Sequence, residues 1–203
     1  MYIADSAVSN IEYLCDWNLE LSNNVSCFEY LTTITADGDI IFFRKYRREN
    51  PIIYPHTNYH NPIRIDFGNN LKPYGFLTSV SVVHFSDGSF VFGDYTNHKL
   101  VDEQNNDPRC IWHVTKPYTD VENWKVAHRF KHVYYTSPES DEPDNEIGHI
   151  HTVAYDFYAD TLYCTTGDID RHCRVYKSKD KGVTWSHVVT GGQKYRSVGL
   201  TFR

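Results

Sequence analysis

Phe76-Leu-Thr-Ser-Val-Ser-Val-Val-His-Phe-Ser-Asp87-Gly88-Ser-Phe-Val-Phe-Gly93-Asp94 reads as two runs of strand-forming residues on either side of an Asp-Gly turn. Aromatic and β-branched side chains fit a pleated, half-buried surface, and Asp-Gly supplies the positive φ that a tight hairpin needs. The same order occurs twice more. Tyr30-Leu-Thr-Thr-Ile-Thr-Ala-Asp37-Gly38-Asp-Ile-Ile-Phe-Phe-Arg44 precedes it. His149-Ile-His-Thr-Val-Ala-Tyr-Asp-Phe-Tyr-Ala-Asp160-Thr-Leu-Tyr-Cys-Thr-Thr-Gly167-Asp168 follows it and ends on the same Gly-Asp pair. Agreement at both turn and terminus marks a repeat.

A further pair of strand-like segments follows the later hairpins, residues 110–115 with 124–130 and residues 174–178 with 184–189. Units of roughly 40 to 50 residues with four strands apiece are the mark of a β-propeller, whose sheets bury their faces against neighbouring blades. The expected fold is therefore all-β, a propeller of four-stranded antiparallel blades, with about three to four blades in a single domain over residues 1–203. Two inserts, at residues 102–109 and 137–148, account for the uneven spacing. Residues 195–202 read as the innermost strand of another blade. Such a strand needs partners. Either residues 11–21 complete that last blade, or the propeller is incomplete in this chain.

Composition narrows the function classes. A formal net charge of −6 gives no global positive field for nucleic acid or an anionic membrane, and the only dense basic run is residues 44–48. No stretch approaches the ~18 apolar residues of a membrane span, and no basic segment leads into an apolar one at the N-terminus. The compartment stays open. Five cysteines without a Cys-x-x-Cys pair argue against a zinc ribbon or a disulfide scaffold and for buried thiols. Cys164 and Cys173 flank a loop and are open to either state, bridged or free.

Ser178-Lys-Asp180-Lys-Gly182-Val-Thr184-Trp185 fits the pattern S-x-D-x-G-x-T-W. Ser178 and Asp180 can accept N–H bonds inside a tight turn, Gly182 supplies positive φ, and Trp185 covers the turn with apolar area. This pattern resembles the Asp box, or bacterial neuraminidase repeat, of sialidase-like β-propellers, and residues 149–196 resemble that superfamily through their His-Ile-His, Thr-Gly-Asp and Lys-Tyr-Arg elements. The resemblance implies a propeller fold and a structural role for the turn. It also implies a carbohydrate-directed function, glycan-binding or glycoside-processing.

In such a blade the Asp-Gly turns lie on one face, and the loops between second and third strands lie on the other with the starts of the first strands. That sorting gathers Arg44, Asp94, His149, Asp168, Arg171, Tyr195 and Arg196 on the ligand side. Sialidases hold a substrate carboxylate with Arg and cleave with carboxyl groups; on this face the candidate ligand-binding residues are Arg44, His149, His151, Arg171, Tyr195 and Arg196, and Asp94 and Asp168, which the repeat places in equivalent positions of neighbouring blades, are the candidate acid–base pair. His149 and His151, at i and i+2, project to one side of a strand and suit a divalent metal with Asp168 or His172. Two rival readings stand beside the glycan one. One is a non-catalytic protein-interaction propeller anchored by Tyr134, Tyr135 and Tyr158, and the other a metal-dependent lyase acting on uronate polymers.

Overall fold

The computed structural model describes residues 2–4, 11–13, 30–44, 48–78, 81–95, 107–132 and 146–203. Expectations resting on Cys15, Cys27, Tyr134, Tyr135 and residues 14–21, 45–47, 102–106 and 137–145 lie outside the described residues. Among the described residues there is no α-helix, and the chain folds into antiparallel meanders. Besides the short pair β1 (Tyr2–Ala4) and β2 (Ile11–Tyr13), there are three sheets.

The first sheet runs in order β3 (Tyr30–Ile34), β4 (Ile40–Arg44), β5 (Ile52–Tyr54) and β6 (Ile63–Arg64). The second is β7 (Val82–His84), β8 (Phe90–Gly93), β9 (Arg109–Val114) and β10 (Trp124–His132), with β11 (Glu146–Ile147) added parallel to β10. The third is β12 (Ile150–Asp156), β13 (Thr161–Thr166), β14 (Arg174–Ser178) and β15 (Ser186–Thr190). The repeat seen in the sequence is therefore a repeat of sheets.

The Asp-Gly turns are built alike. Gly38 N–H donates to the Thr35 carbonyl and Gly88 N–H to the Phe85 carbonyl, both at 3.0 Å, with φ of 91° and 87°. In the third sheet Asp160 takes the left-handed position at φ 47°, a conformation that aspartate tolerates better than most side chains.

The second sheet is buried on both sides. Phe90, Phe92, Cys110, Trp112, Val114 and Trp124 pack on Ile41, Phe43, Ile53, Ile65 and Phe67 of the first sheet and its following loop. On its other face Val91, Ile111 and Phe130 pack on Ile150, Val153, Leu162, Cys164 and Tyr176 of the third sheet. Period-2 alternation along β8 and β9 sends each set to its own side. In β10 a bulge between Val126 and His128 reverses the parity, so Val126 faces the first sheet and Phe130 the third. Gly93 permits the close approach of the sheets, since a methyl there would lie 2.3 Å from Ile150 Cγ2.

One expectation is corrected, and one left open by the sequence is decided. Residues 195–202 do not form a strand: Gln193–Tyr195 makes a 3-10 turn, and the segment beyond it lies against the third sheet, where Phe202 stacks on Tyr163 with ring centroids 5.5 Å apart. Cys164 and Cys173 are both free and buried, like Cys110. Burial pushes the Cys110 thiol up to about 12, beyond useful nucleophilicity.

Candidate functional site

The third sheet brings His149, His151 and Asp168 together at the loop end of β12 and β13. His149 precedes β12, and the ladder to β13 shifts register between Ile150 and Thr152, so His151 sits on a bulge. Successive same-side residues of a regular strand stand ~6.6 Å apart. The bulge instead lets the two Nε2 atoms approach to 2.9 Å. Asp168 follows Gly167 at the end of β13. Its Oδ2 lies 3.1 Å from His149 Nε2 and its Oδ1 lies 3.2 Å from His151 Nε2.

Both imidazoles are buried, whereas the Asp168 side chain keeps 22% of its surface open. His151 Nδ1 donates to the Ser197 carbonyl at 3.2 Å, which leaves Nε2 as the lone-pair nitrogen facing the cluster. Burial, with His149 adding to it and Asp168 opposing, pushes His151 down to about 4, so the ring is neutral at physiological pH. Tyr95 tilts over His149 at a centroid distance of 4.7 Å.

Arg196 completes the group, with Nη2 2.9 Å from Asp168 Oδ1 and 48% of its side chain exposed. Its position is set by two loops tied to each other. Gln193 Nε2 donates to the Asp168 carbonyl at 2.9 Å and to Asp170 Oδ1 at 3.1 Å, while Gly192 N–H donates to the Asp170 carbonyl.

Of the other expected residues, Tyr195 occupies the same turn, under the Lys194 ammonium at 4.8 Å. Arg171 Nε donates to His172 Nε2 at 3.3 Å, so His172 is engaged beside the cluster and is not its third imidazole. Arg44 ends β4 opposite Tyr30.

Asp94, the counterpart of Asp168 in the repeat, has a different environment. It is fully buried, and Oδ1 accepts from the Tyr74 N–H at 3.0 Å and from the Trp112 indole at 2.9 Å. Its Oδ2 accepts from the Cys110 N–H at 3.1 Å and from Arg48 Nη2 at 3.3 Å. Burial pushes this carboxyl up, and Arg48 with the N–H donors pulls the other way. The expectation that Asp94 and Asp168 form an acid–base pair is thus corrected: four donors enclose Asp94 as an anchor between the first and second sheets.

Arg48, which also donates to the Lys72 and Pro108 carbonyls and stacks on Tyr74 at 4.0 Å, was not separable from its basic run by sequence. Ser197 likewise carried no signal, because its main chain does the bonding.

The turn at residues 178–185 has the bonds its spacing suggests. Gly182 N–H donates to Ser178 Oγ at 2.8 Å, Thr184 N–H to Asp180 Oδ1 at 2.9 Å, and the Trp185 indole to the Gly182 carbonyl at 3.0 Å. Gly182 has φ 89° and packs on Val91 and Leu162, which joins the turn to the second sheet. Phe157 and Tyr158, 81% and 80% exposed, cap the β12–β13 hairpin at the strand end away from His149 and Asp168. No long apolar helix that could cross a membrane occurs among the described residues.

No family model matches the chain, and no curated protein matches it. Fold and site therefore define a class: an all-β stack of antiparallel meanders with two imidazoles, a carboxylate and a half-exposed guanidinium clustered at the loop end of one sheet.

Proposed function

We propose that the three meanders are blades of a sialidase-like, Asp-box β-propeller, and that the cluster around Asp168 binds an anionic carbohydrate. The burial of the second sheet on both faces supports the blade reading, because a propeller blade lies between two neighbours. The bonds of the 178–185 turn support the Asp-box reading.

The observation that carries the ligand class is Arg196. Its guanidinium stands half-exposed on Asp168 beside two buried imidazoles, with one nitrogen paired and a planar fork of donors left for a carboxylate. The partly exposed Asp168 carboxylate beside it is of the type that accepts from sugar hydroxyls. Two-carboxylate hydrolysis does not fit, because Asp94 is enclosed by its own donors. The reading favoured is binding, or chemistry with Asp168 as its sole carboxylate.

A glycan array carrying uronic- and sialic-acid glycans alongside neutral ones tests this. We expect retention of acidic glycans and at least ~tenfold loss with Arg196→Gln, the scale of one lost charge-assisted contact. Equal retention of neutral and acidic glycans, or none at all, removes the reading.

A further inference from the structure

We propose that His149 Nε2, His151 Nε2 and the Asp168 carboxylate are ligands of a divalent first-row transition metal, and that Arg196 is the resident cation which the metal displaces from Asp168. Three observations carry this, and none depends on the carbohydrate reading.

The first is spacing. The two Nε2 atoms lie 2.9 Å apart, and each meets a different oxygen of one carboxylate, His149 at Oδ2 across 3.1 Å and His151 at Oδ1 across 3.2 Å. One ligand atom from each of the three residues falls within 4.8 Å of the others. Ligands about 2.1 Å from one metal stand about 3.0 to 3.4 Å apart at right or tetrahedral angles, and the imidazole pair and each imidazole–carboxylate contact are near that spacing.

The second is orientation. His151 Nδ1–H is held by the Ser197 carbonyl, which turns Nε2 toward His149 and Asp168. A backbone carbonyl that fixes an imidazole through its distal nitrogen is also the usual support of a metal-bound histidine.

The third is charge and access. Arg196 supplies positive charge at Asp168 Oδ1 from the exposed side, while both imidazoles are buried behind. A metal entering from the Arg196 side meets the open coordination positions there, and the freed guanidinium stays beside them. Two imidazoles with one carboxylate favour Mn, Fe(II), Co or Zn over Ca or Mg, which take oxygen sets.

The test is titration of chelator-treated protein with Co(II), followed by visible absorption and calorimetry without glycan. We expect one equivalent bound, with ligand-field bands distinct from those of aqueous Co(II). Asp168→Asn and His151→Ala should each lower affinity at least tenfold, and Arg196→Gln, at an exposed position, should raise it severalfold.

Absence of Co(II) uptake by the wild type, or uptake unchanged in both ligand variants, overturns the site. Unchanged affinity in Arg196→Gln overturns the displacement. Should a ligand variant lose its circular dichroism, paramagnetically shifted imidazole resonances of two histidines in the Co(II) wild type decide instead: their presence supports the site and their absence overturns it. Metal uptake without acidic-glycan binding would remove the carbohydrate reading and leave this one standing.

Discussion

His151 and Ser197 are joined by a bond from the imidazole Nδ1–H to a main-chain carbonyl at 3.2 Å, and Thr165 Oγ1 donates to the same oxygen at 2.7 Å. One carbonyl thus sets a tautomer and pins the segment after Arg196 to the third sheet.

Thr165 is fully buried, so Thr165→Val keeps the shape and removes one donor from that carbonyl. The expected loss is about 1 kcal/mol in urea unfolding, with faster proteolysis within residues 196–203. Unchanged stability and unchanged cleavage would show that the segment is held by other contacts, such as Phe202 on Tyr163.

Asp94→Asn puts an amide where four donors converge, so at least one N–H faces another and Arg48 loses its buried counter-charge. Breaking one partner of a buried pair costs about 3–5 kcal/mol. Chemical denaturation should show a loss on that scale. A loss under about 1 kcal/mol would mean that the anchor is dispensable.

Asp180 titrates low for a visible reason. Side-chain and backbone bonds from Thr184 pull its carboxyl from the usual 3.8 down to about 2. A carboxyl depressed in the folded state adds stability above its unfolded value, and that stability drains as pH falls through the folded one. The gap in melting temperature between wild type and Asp180→Asn should therefore be full near about pH 6 and close between about pH 4 and pH 2. Asp87 is likewise held at about 2 by Ser89, so only the difference from the variant isolates Asp180. A gap independent of pH would contradict the assignment.

Gly93→Ala directs a methyl at Ile150 Cγ2 across 2.3 Å, between the second and third sheets. Overpacking of this kind costs about 1–3 kcal/mol. Gly93→Ala combined with Ile150→Ala, which removes Cγ2, should cost less than the sum of the two single changes, and additivity would argue that these sheets do not touch there.

The meanders were legible because strand alternation and Asp-Gly turns are local signals, and each sheet is a run of consecutive strands. The equivalence of Asp94 and Asp168 was legible too, yet it misled about chemistry. After Asp94, the Cys110 N–H and the Trp112 indole of β9 close over the carboxylate. After Asp168 the chain instead makes a short turn over Asp170–His172 and leaves the carboxylate open to Arg196.

The His149–His151 pair could be seen in sequence, but its convergence depends on a bulge that spacing does not announce. Residues 195–202 carry alternating apolar side chains, and they dock through a carbonyl and one ring instead of a ladder. Such docking leaves no mark in a residue pattern.

The pinning of Ser197 also has a kinetic side. Its bonds to Thr165 and His151 span 32 and 46 residues, far longer than the hairpin contacts that form the third sheet. Contacts between distant residues bear a larger loop-closure cost and assemble after local ones. The hairpins of the sheet can therefore zip up before residue 197 docks, so the orientation of His151 is among the last features of the molecule to be decided.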